Sequence, residues 1–337
     1  MRHGRMMSGE TILNLGKKVL AALFRPPRSK PVDWPDGKAF AFTIIDDTDE
    51  ATIEKIRPIY NLLYTLGMRT TKTTWVWPTN EPGDPANSGD TLSEAIYRDF
   101  LIDLQARGFE IVFHGARGGS SKRSETLAAL EKFKEVLGHY PKIHINHSMN
   151  RENLYWGKHK LDFLPLRILY RLFQRSEFSG HVADSEYFWG DVAQAEITYV
   201  KNFHFHEIDV MQVYPAVPYR DYKRPYVNYW FYSSDGSDLD TFSRLLAHDN
   251  LDRLEHKGGL CIVYTHFGRG FCRNGAVNER VVERLEDVVS RNGWYAPAGE
   301  ILDFLRDRRR GEAGITGKNR IYLELRWAWE KLLKGQS

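Results

Sequence analysis

The strongest constraint on the fold is a repeated alternation between apolar runs of strand length and segments with helical spacing. Examples of such runs are "AFAFTII" (39–45), "RTTKTTWVW" (69–77), "FEIVFH" (109–114) and "LCIVYTHF" (260–267). Between them lie segments whose apolar residues recur every three or four positions. Strands that alternate with helices form parallel βαβ units. The pattern therefore predicts an α/β protein, and it fits either a closed barrel or an open sheet.

The same pattern predicts three parts in the chain. A cluster of prolines between positions 26 and 35 separates an N-terminal helix and linker, residues 1–35, from the body. The alternation runs through residues 36–310, with a less regular, aromatic-rich insertion at about 150–235. Residues 311–337 are then a C-terminal extension.

Composition excludes several classes of protein. The chain has 337 residues and a formal net charge of +3, which is too small to indicate a nucleic-acid partner. Cys261 and Cys272 are the only cysteines, so no disulfide framework is indicated and a reduced compartment fits. No apolar span reaches the roughly 18 residues of a transmembrane helix, and the N-terminus lacks the features of a signal peptide. We expect a cytoplasmic protein.

The N-terminal segment "MRHGRMMSGETILNLGKKVLAALFRPPR" has two interpretations. It is either a helix that packs on the body or is mobile, or a basic amphipathic helix that lies on a membrane surface. The second interpretation makes peripheral membrane contact the alternative to a purely cytoplasmic location.

Residues able to do chemistry fall at the ends of the predicted strands. Asp46 and Asp47 follow the first strand, and His114, His147 and His266 end three later ones. In α/β folds the carboxyl ends of the strands converge on one crevice, so side chains far apart in sequence meet there. Alone, an Asp pair is typical of a loop or helix N-cap and a lone His of a structural hydrogen bond, but the joint pattern favours a site.

Carboxylate oxygen and imidazole nitrogen are suitable ligands for a divalent metal such as zinc. A catalytic zinc site keeps one position open for water and lowers the pKa of that water to about 7. A carboxylate beside the ligands could then act as a general base, and a separate His could protonate the leaving group. The sequence therefore predicts a metal-dependent site at the carboxyl end of the strands.

Three motifs resemble those of the polysaccharide deacetylase family, carbohydrate esterase family 4 with its NodB-homology domain. They are "TIIDDTD", "RGFEIVFHGARGG" and "KGGLCIVYTHFG". The resemblance implies a distorted (β/α) barrel of the glycoside hydrolase/deacetylase type and removal of an N- or O-linked acetyl group from a carbohydrate. It also implies Asp46 as the base, Asp47 and His114 as metal ligands, and His266 as the acid.

The chain departs from the family at one ligand. The family places a second metal-binding His four residues after the first, where this sequence has Gly118. His147 is our first candidate for the missing ligand, followed by His144 and His181. If none of them reaches the metal, the chain is a non-catalytic, glycan-binding relative.

Other residues are candidates for substrate contact. Arg117 lies in the Gly- and Ser-rich segment "HGARGGSSKR", which could bind an anion, and Arg224 in "RPYVNYWF" resembles the family's arginine motif. Trp156 and Trp189 are candidate platforms for sugar stacking.

A third interpretation is a glycosidase on the same barrel. It would pair Asp46 or Asp47 with Asp184 or Glu186 as its two carboxylates.

Overall fold

The computed structural model of the protein describes residues 9–27, 29–173, 176–309 and 314–334. Its helices are α1 (Gly9–Phe24), α2 (Ile53–Thr65), α3 (Ala95–Ala106), α4 (Arg123–Leu137), α5 (Leu164–Phe173), α6 (Gly190–Glu196), α7 (Val210–Val213), α8 (Leu239–Leu245), α9 (His248–Lys257), α10 (Glu279–Val289), α11 (Ala298–Asp307) and α12 (Gly317–Lys334). Its strands are β1 (Phe40–Asp46), β2 (Thr71–Trp75), β3 (Glu110–Gly115), β4 (Ile143–His144), β5 (Tyr199–Phe205), β6 (Tyr229–Asp235), β7 (Leu260–Thr265), β8 (Cys272–Arg273), β9 (Ala276–Val277) and β10 (Gly293–Tyr295).

Seven parallel strands close into a barrel. Strands β1 to β7 pair in chain order, and β1 also pairs with β7 along its length, from Ala41 opposite Leu260 to Asp46 opposite Thr265. Strand β10 pairs with the amino-terminal half of β1, whereas β2 pairs with its carboxyl-terminal half. The closed barrel, one of the two predicted arrangements, is therefore confirmed. The barrel is distorted because β10 and β2 share one edge of β1.

Both faces of the barrel strands are covered, by side chains inside and by helices outside. All seven residues of β1 and all five residues of β2 are buried. Strand β2, "TKTTW", is buried despite its polar sequence because its side chains contact the end of β1 and the residue after it: Lys72 pairs with Asp46, and Thr73 donates to Asp47. Successive strand residues point to opposite faces, so these two contacts lie on different sides of the strand.

The segment 150–235 differs from the predicted irregular insertion. It contains two barrel strands, β5 and β6, and the barrel would not close without them. The apolar pattern missed β5, "YVKNFHF", because Lys201, Asn202 and His204 interrupt the hydrophobic run while all three lie in the interior strand. Only the stretches that hold α5, α6 and α7 lie outside the sheet.

The helices near the two ends of the chain pack against each other. A Cβ added to Gly16 of α1 would lie 2.0 Å from the indole Nε1 of Trp329 in α12, so glycine permits this close approach. Trp329 Nε1 donates to the carbonyl of Leu13 at 3.3 Å, and Lys17 Nζ lies 3.5 Å from Glu330. Helix α1 is thus a packed helix, and the division of the chain into three parts stays a prediction.

None of the helices within the described ranges combines the length and the apolarity needed to cross a membrane.

Candidate metal centre

The side chains expected at the strand ends lie at the carboxyl end of the barrel. Asp46 ends β1 and Asp47 follows it, His114 lies in β3, and His266 follows β7. His147 comes three residues after the short strand β4. None of these five residues is more than 3% exposed, so the barrel mouth encloses them.

Three donor atoms face one another in this region. Asp49 Oδ1 lies 3.3 Å from His114 Nε2 and 3.5 Å from His147 Nδ1, and the two imidazole nitrogens are 3.2 Å apart. Bonds of about 2.0–2.1 Å to a tetrahedral zinc ion place two ligand atoms roughly 3.3 Å apart. The spacing of the three atoms fits one such ion, and their chemistry is that of zinc ligands.

Asp49 Oδ1 is a buried acceptor without a hydrogen-bond donor among the described residues. It accepts no well-directed hydrogen bond from any residue that the structure describes, and leaving such an atom unsatisfied costs roughly 1–3 kcal/mol. Burial would raise the pKa of Asp49, but His114 and His147 hold it below its usual value. Asp49 is therefore a carboxylate that a cation would satisfy.

The second nitrogen of each imidazole lies beside an oxygen acceptor. His147 Nε2 donates to Asn87 Oδ1 at 2.8 Å. His114 Nδ1 lies 2.9 Å from Asp47 Oδ1, which is an ion-pair contact without good hydrogen-bond geometry. A proton on each of these nitrogens leaves the other nitrogen free to face Asp49, which is how metal-binding histidines are usually oriented.

The two carboxylates also affect the protonation of His114. Burial lowers the pKa of His114, but Asp47 and Asp49 outweigh it and raise that pKa to about 9. An ion at this position would therefore replace a proton.

The structure places Asp46 and Asp47 differently from their predicted roles. Asp46 is absent from the groups of described donor atoms that lie within 4.8 Å of one another. Its carboxylate instead lies 3.2 Å from Lys72 Nζ and accepts from Tyr60 Oη at 3.0 Å and from the Phe267 amide at 2.8 Å. Successive residues of a strand point to opposite sides, so Asp46 and Asp47 cannot both face the three donors.

Asp47 points toward the donors but its oxygens are engaged. Oδ1 accepts from Thr73 Oγ1 at 2.7 Å and Oδ2 from Tyr264 Oη at 2.7 Å. Asp47, Asp49 and His266 also form a group of donors within 4.8 Å of one another. Because Asp47 is already bound on both oxygens, Asp49 is the better metal ligand of the pair.

The contacts of Gly118 explain why the family's second His is absent. A Cβ at Gly118 would lie 2.4 Å from the Asn87 carbonyl oxygen, so any side chain there would displace the loop that ends in the turn Pro85–Asn87. The side chain of that same Asn87 holds His147. The loop therefore leaves no room for a side chain at position 118, and its Asn87 orients the His that supplies the third donor atom.

The other two candidates for the third ligand have structural contacts. His144 bonds to the Phe113 carbonyl and to Asn146, both at 3.1 Å. His181 accepts from the Tyr155 amide at 3.1 Å and packs against the ring of the same residue. Of the three histidines proposed from the sequence, His147 is the one that the structure brings to His114.

His266 has one ring nitrogen directed at the centre. Its Nδ1 lies 2.9 Å from the carbonyl oxygen of Ser237 and donates to it. Its Nε2 lies 3.2 Å from Tyr264 Oη and 3.7 Å from Asp49 Oδ2. The ring is therefore fixed so that Nε2 can exchange a proton with a group at the centre.

Sequence reasoning missed two further contacts of the centre. Arg269 lies 3.1 Å from Asp49 Oδ2 and 2.9 Å from Glu50, and so orients the carboxylate opposite the histidines. Tyr264 bonds to Asp47. Arg269 follows His266 by three residues, so the strand-end rule could have found it; Tyr264 precedes His266 within an apolar strand, where no pattern marks it.

Two of the predicted substrate contacts, Trp189 and Arg224, have buried side chains. Trp189 is 0% exposed and donates to the Glu152 carbonyl. Arg224 is 4% exposed, and its guanidinium bonds to Asp221, Asp162 and the His159 carbonyl.

The other two predicted contacts are partly accessible. Arg117 is half-buried and lies 3.3 Å from Glu125. Trp156 is half-buried and lines a cavity.

The carboxylates proposed for a glycosidase do not form a pair at the centre. Asp184 and Glu186 are exposed, and Glu186 forms an ion pair with Lys122 at 2.9 Å. The described part of the chain therefore gives the glycosidase interpretation no support.

Solved structures share this architecture, although neither a protein-family model nor a curated protein matches the sequence. A "putative polysaccharide deacetylase from Mycobacterium smegmatis" aligns with a TM-score of 0.52 at 12% identity, over 86% of this chain and 98% of that one. A "Puue Allantoinase" aligns with a TM-score of 0.51 at 12% identity, over 84% of this chain and 96% of that one. A "probable Polysaccharide deacetylase from Pseudomonas aeruginosa PAO1" aligns with a TM-score of 0.50 at 11% identity, over 84% and 96%. The deacetylase-type barrel expected from the motifs is confirmed; likeness at this identity shows the fold alone.

Proposed function

We propose that the protein is a metal-dependent hydrolase that removes an N- or O-linked acetyl group from a carbohydrate, with zinc as the divalent ion. The observation that carries the proposal is the convergence of Asp49, His114 and His147 at ligand spacing. The deacetylase-type barrel and the three sequence motifs support the choice of reaction.

The residues divide into those that would hold the ion and those that orient them. Its ligands would be Asp49 Oδ1, His114 Nε2 and His147 Nδ1. Asn87 accepts a hydrogen bond from the other nitrogen of His147, and Asp47 lies 2.9 Å from the other nitrogen of His114. When bound, the ion supplies Lewis acidity toward a carbonyl oxygen and a water molecule. Asp49 is therefore assigned the ligand role that the resemblance implies for Asp47.

His266 is the group we assign to proton transfer. Its Nδ1 donates a hydrogen bond to the Ser237 carbonyl, which leaves Nε2 directed at the centre. The ring would take a proton from the attacking water and return it to the departing amine or alcohol. Asp46 has no place in this scheme because Lys72, Tyr60 and Phe267 bind its carboxylate.

Isosteric substitution tests the proposal. Asp49→Asn keeps the volume but removes a charged ligand, so we expect at least a 100-fold loss in zinc affinity by calorimetry and no acetate release from acetylated sugars. Asp238→Asn is the matched control, since Asp238 caps α8 and Asn caps helices equally well. Zinc affinity of Asp49→Asn equal to that of the wild type would refute the ligand assignment.

The non-catalytic alternative predicts another outcome. A chain that binds acetylated glycans in the presence of a chelator, and releases acetate from none of them, would be a glycan-binding protein on a deacetylase barrel.

A further inference from the structure

Helices α1, α5 and α12 carry most of the exposed apolar side chains. Of the fifteen large apolar residues that are exposed in the described part of the chain, nine lie on these helices. Leu172, Phe173 and Leu332 are 74%, 77% and 76% exposed. Scattered apolar residues are normal on a protein surface, but such a concentration marks an interaction site. We call this surface the apolar face.

The apolar face is continuous across the three helices. One cavity of about 440 Å³ lies between α1 and α12, and a second of about 520 Å³ lies between α12 and α5. Leu166, Ala328 and Leu332 line both cavities. The face therefore forms one apolar surface with two depressions.

The second cavity is lined on one side by residues that adjoin His147 in the sequence. Its walls are mainly apolar and aromatic, including Tyr170, Phe173 and Trp327. They also include Ser148 and Met149, the two residues that follow His147. A volume of about 520 Å³ lies in the range of cavities that enclose a small ligand. An apolar chain lying in this cavity would bring whatever it carries close to His147.

The exposed charged side chains of α5 and of residues 11–24 are positive. Lys18, Arg167 and Arg171 are exposed on α1 and α5, and neither α5 nor residues 11–24 contain an acidic residue. The two acidic residues of α12, Glu324 and Glu330, are buried.

Both acids of α12 are also neutralised within the protein. Glu324 lies 3.1 Å from Arg320, and Glu330 lies 3.1 Å from Arg326. Within residues 11–24, α5 and α12, no acidic side chain is therefore left exposed beside these cations.

This combination of charge and apolar area selects the partner. In a symmetric dimer each face meets its own copy, which would bring Lys18, Arg167 and Arg171 near the same cations. An anionic membrane offers negative headgroups to the cations and hydrocarbon to the apolar residues. A membrane therefore matches both the positive charge and the apolar area of the face, whereas a second copy of the chain matches only the apolar area.

We propose that the apolar face binds the surface of an anionic membrane, and that the cavity between α5 and α12 takes the hydrocarbon chain of a lipid-anchored substrate. The second half of this inference rests on the proposed function, since it supplies the acetylated sugar as the headgroup of that lipid. The sugar would then reach the metal centre from the membrane side of the protein.

Vesicle sedimentation tests the inference. Wild-type protein should sediment with vesicles of phosphatidylcholine containing about one third phosphatidylglycerol, and much less with phosphatidylcholine alone. The double variant Leu172→Glu/Phe173→Glu should lose at least about tenfold in affinity, since it removes two large apolar contacts and adds negative charge.

Two control variants separate the membrane contact from other effects. Ile96→Glu changes a residue of α3 that is equally exposed, at 72%, but lies off the face, so it should bind vesicles like the wild type. His147→Ala should bind vesicles normally while losing zinc. Equal vesicle binding by the double variant and the wild type would overturn the inference, as would no binding by the wild type. A dimer in light scattering that the double variant dissociates, without vesicle binding, would assign the face to a second copy and also overturn it.

The inference and the proposed function fail in different ways. Hydrolysis of a soluble acetylated sugar without vesicle binding would refute the inference alone. Vesicle binding by a protein that never releases acetate would refute the proposed function and the lipid-anchored substrate, and would leave the membrane contact standing.

Discussion

The buried ion pair between Asp46 and Lys72 makes a prediction that separates a structural role for Asp46 from a catalytic one. Both side chains are 0% exposed and their charged atoms lie 3.2 Å apart. Burial raises the pKa of Asp46, while the carboxylate of Asp46 overcomes burial and raises the pKa of Lys72. Each charge therefore depends on its partner.

Asp46→Asn would leave the Lys72 ammonium buried without its counter-ion. Removing one partner of a buried pair typically costs about 3–5 kcal/mol. The double variant Asp46→Asn/Lys72→Met removes both charges and should recover most of that loss, because replacing a buried pair by uncharged groups is often neutral. We therefore expect a coupling free energy of about 2 kcal/mol or more between the two sites.

Urea unfolding followed by near-ultraviolet circular dichroism measures these differences in the free energy of unfolding. An unchanged dependence of that free energy on urea concentration checks that the folded states are comparable. Lys72→Met alone completes the cycle. If Asp46→Asn unfolds with the free energy of the wild type yet has lost hydrolysis of a verified substrate, Asp46 is the catalytic base and our reasoning fails.

Three further predictions concern the surroundings of the centre. Asn87→Ala removes the acceptor behind His147 and should weaken zinc affinity about 10- to 100-fold in calorimetry; unchanged affinity would show that Asn87 does not orient the ring. Gly118→Ala should destabilise the fold by about 1–3 kcal/mol in urea unfolding, because the new Cβ would lie 2.4 Å from the Asn87 carbonyl oxygen. Gly67→Ala is the control: there is open space around Gly67, so this variant tests backbone strain without a clash. Burial lowers the pKa of Lys201 from 10.5 to about 8, so between these values the unfolded chain binds more protons. Stability should then rise with pH across that window by roughly 3 kcal/mol; urea unfolding at several pH values should show the rise in the wild type and not in Lys201→Met, and parallel curves would contradict it.

The sequence alone determined the parallel βα class of the fold and the location of the site. Apolar runs of strand length between helical segments specify parallel βα units because side-chain periodicity is a local property. The same reasoning placed Asp47, His114, His147 and His266 at strand ends, where a parallel sheet brings them together. It did not find β5, because Lys201 and Asn202 of that strand are buried, and polar residues in a local pattern are taken to be exposed.

The tertiary structure decided which of these residues can act together. Whether Asp46 or Asp49 faces the histidines depends on the turn after β1 and on Lys72 from the neighbouring strand. The replacement of the family's second His depends on the contact between Gly118 and Asn87, which are 31 positions apart. The burial of Trp189 likewise follows from packing between distant segments. Such contacts join residues that are far apart in the sequence. The spacing of residue types along a chain does not give the distance between two atoms that folding brings together.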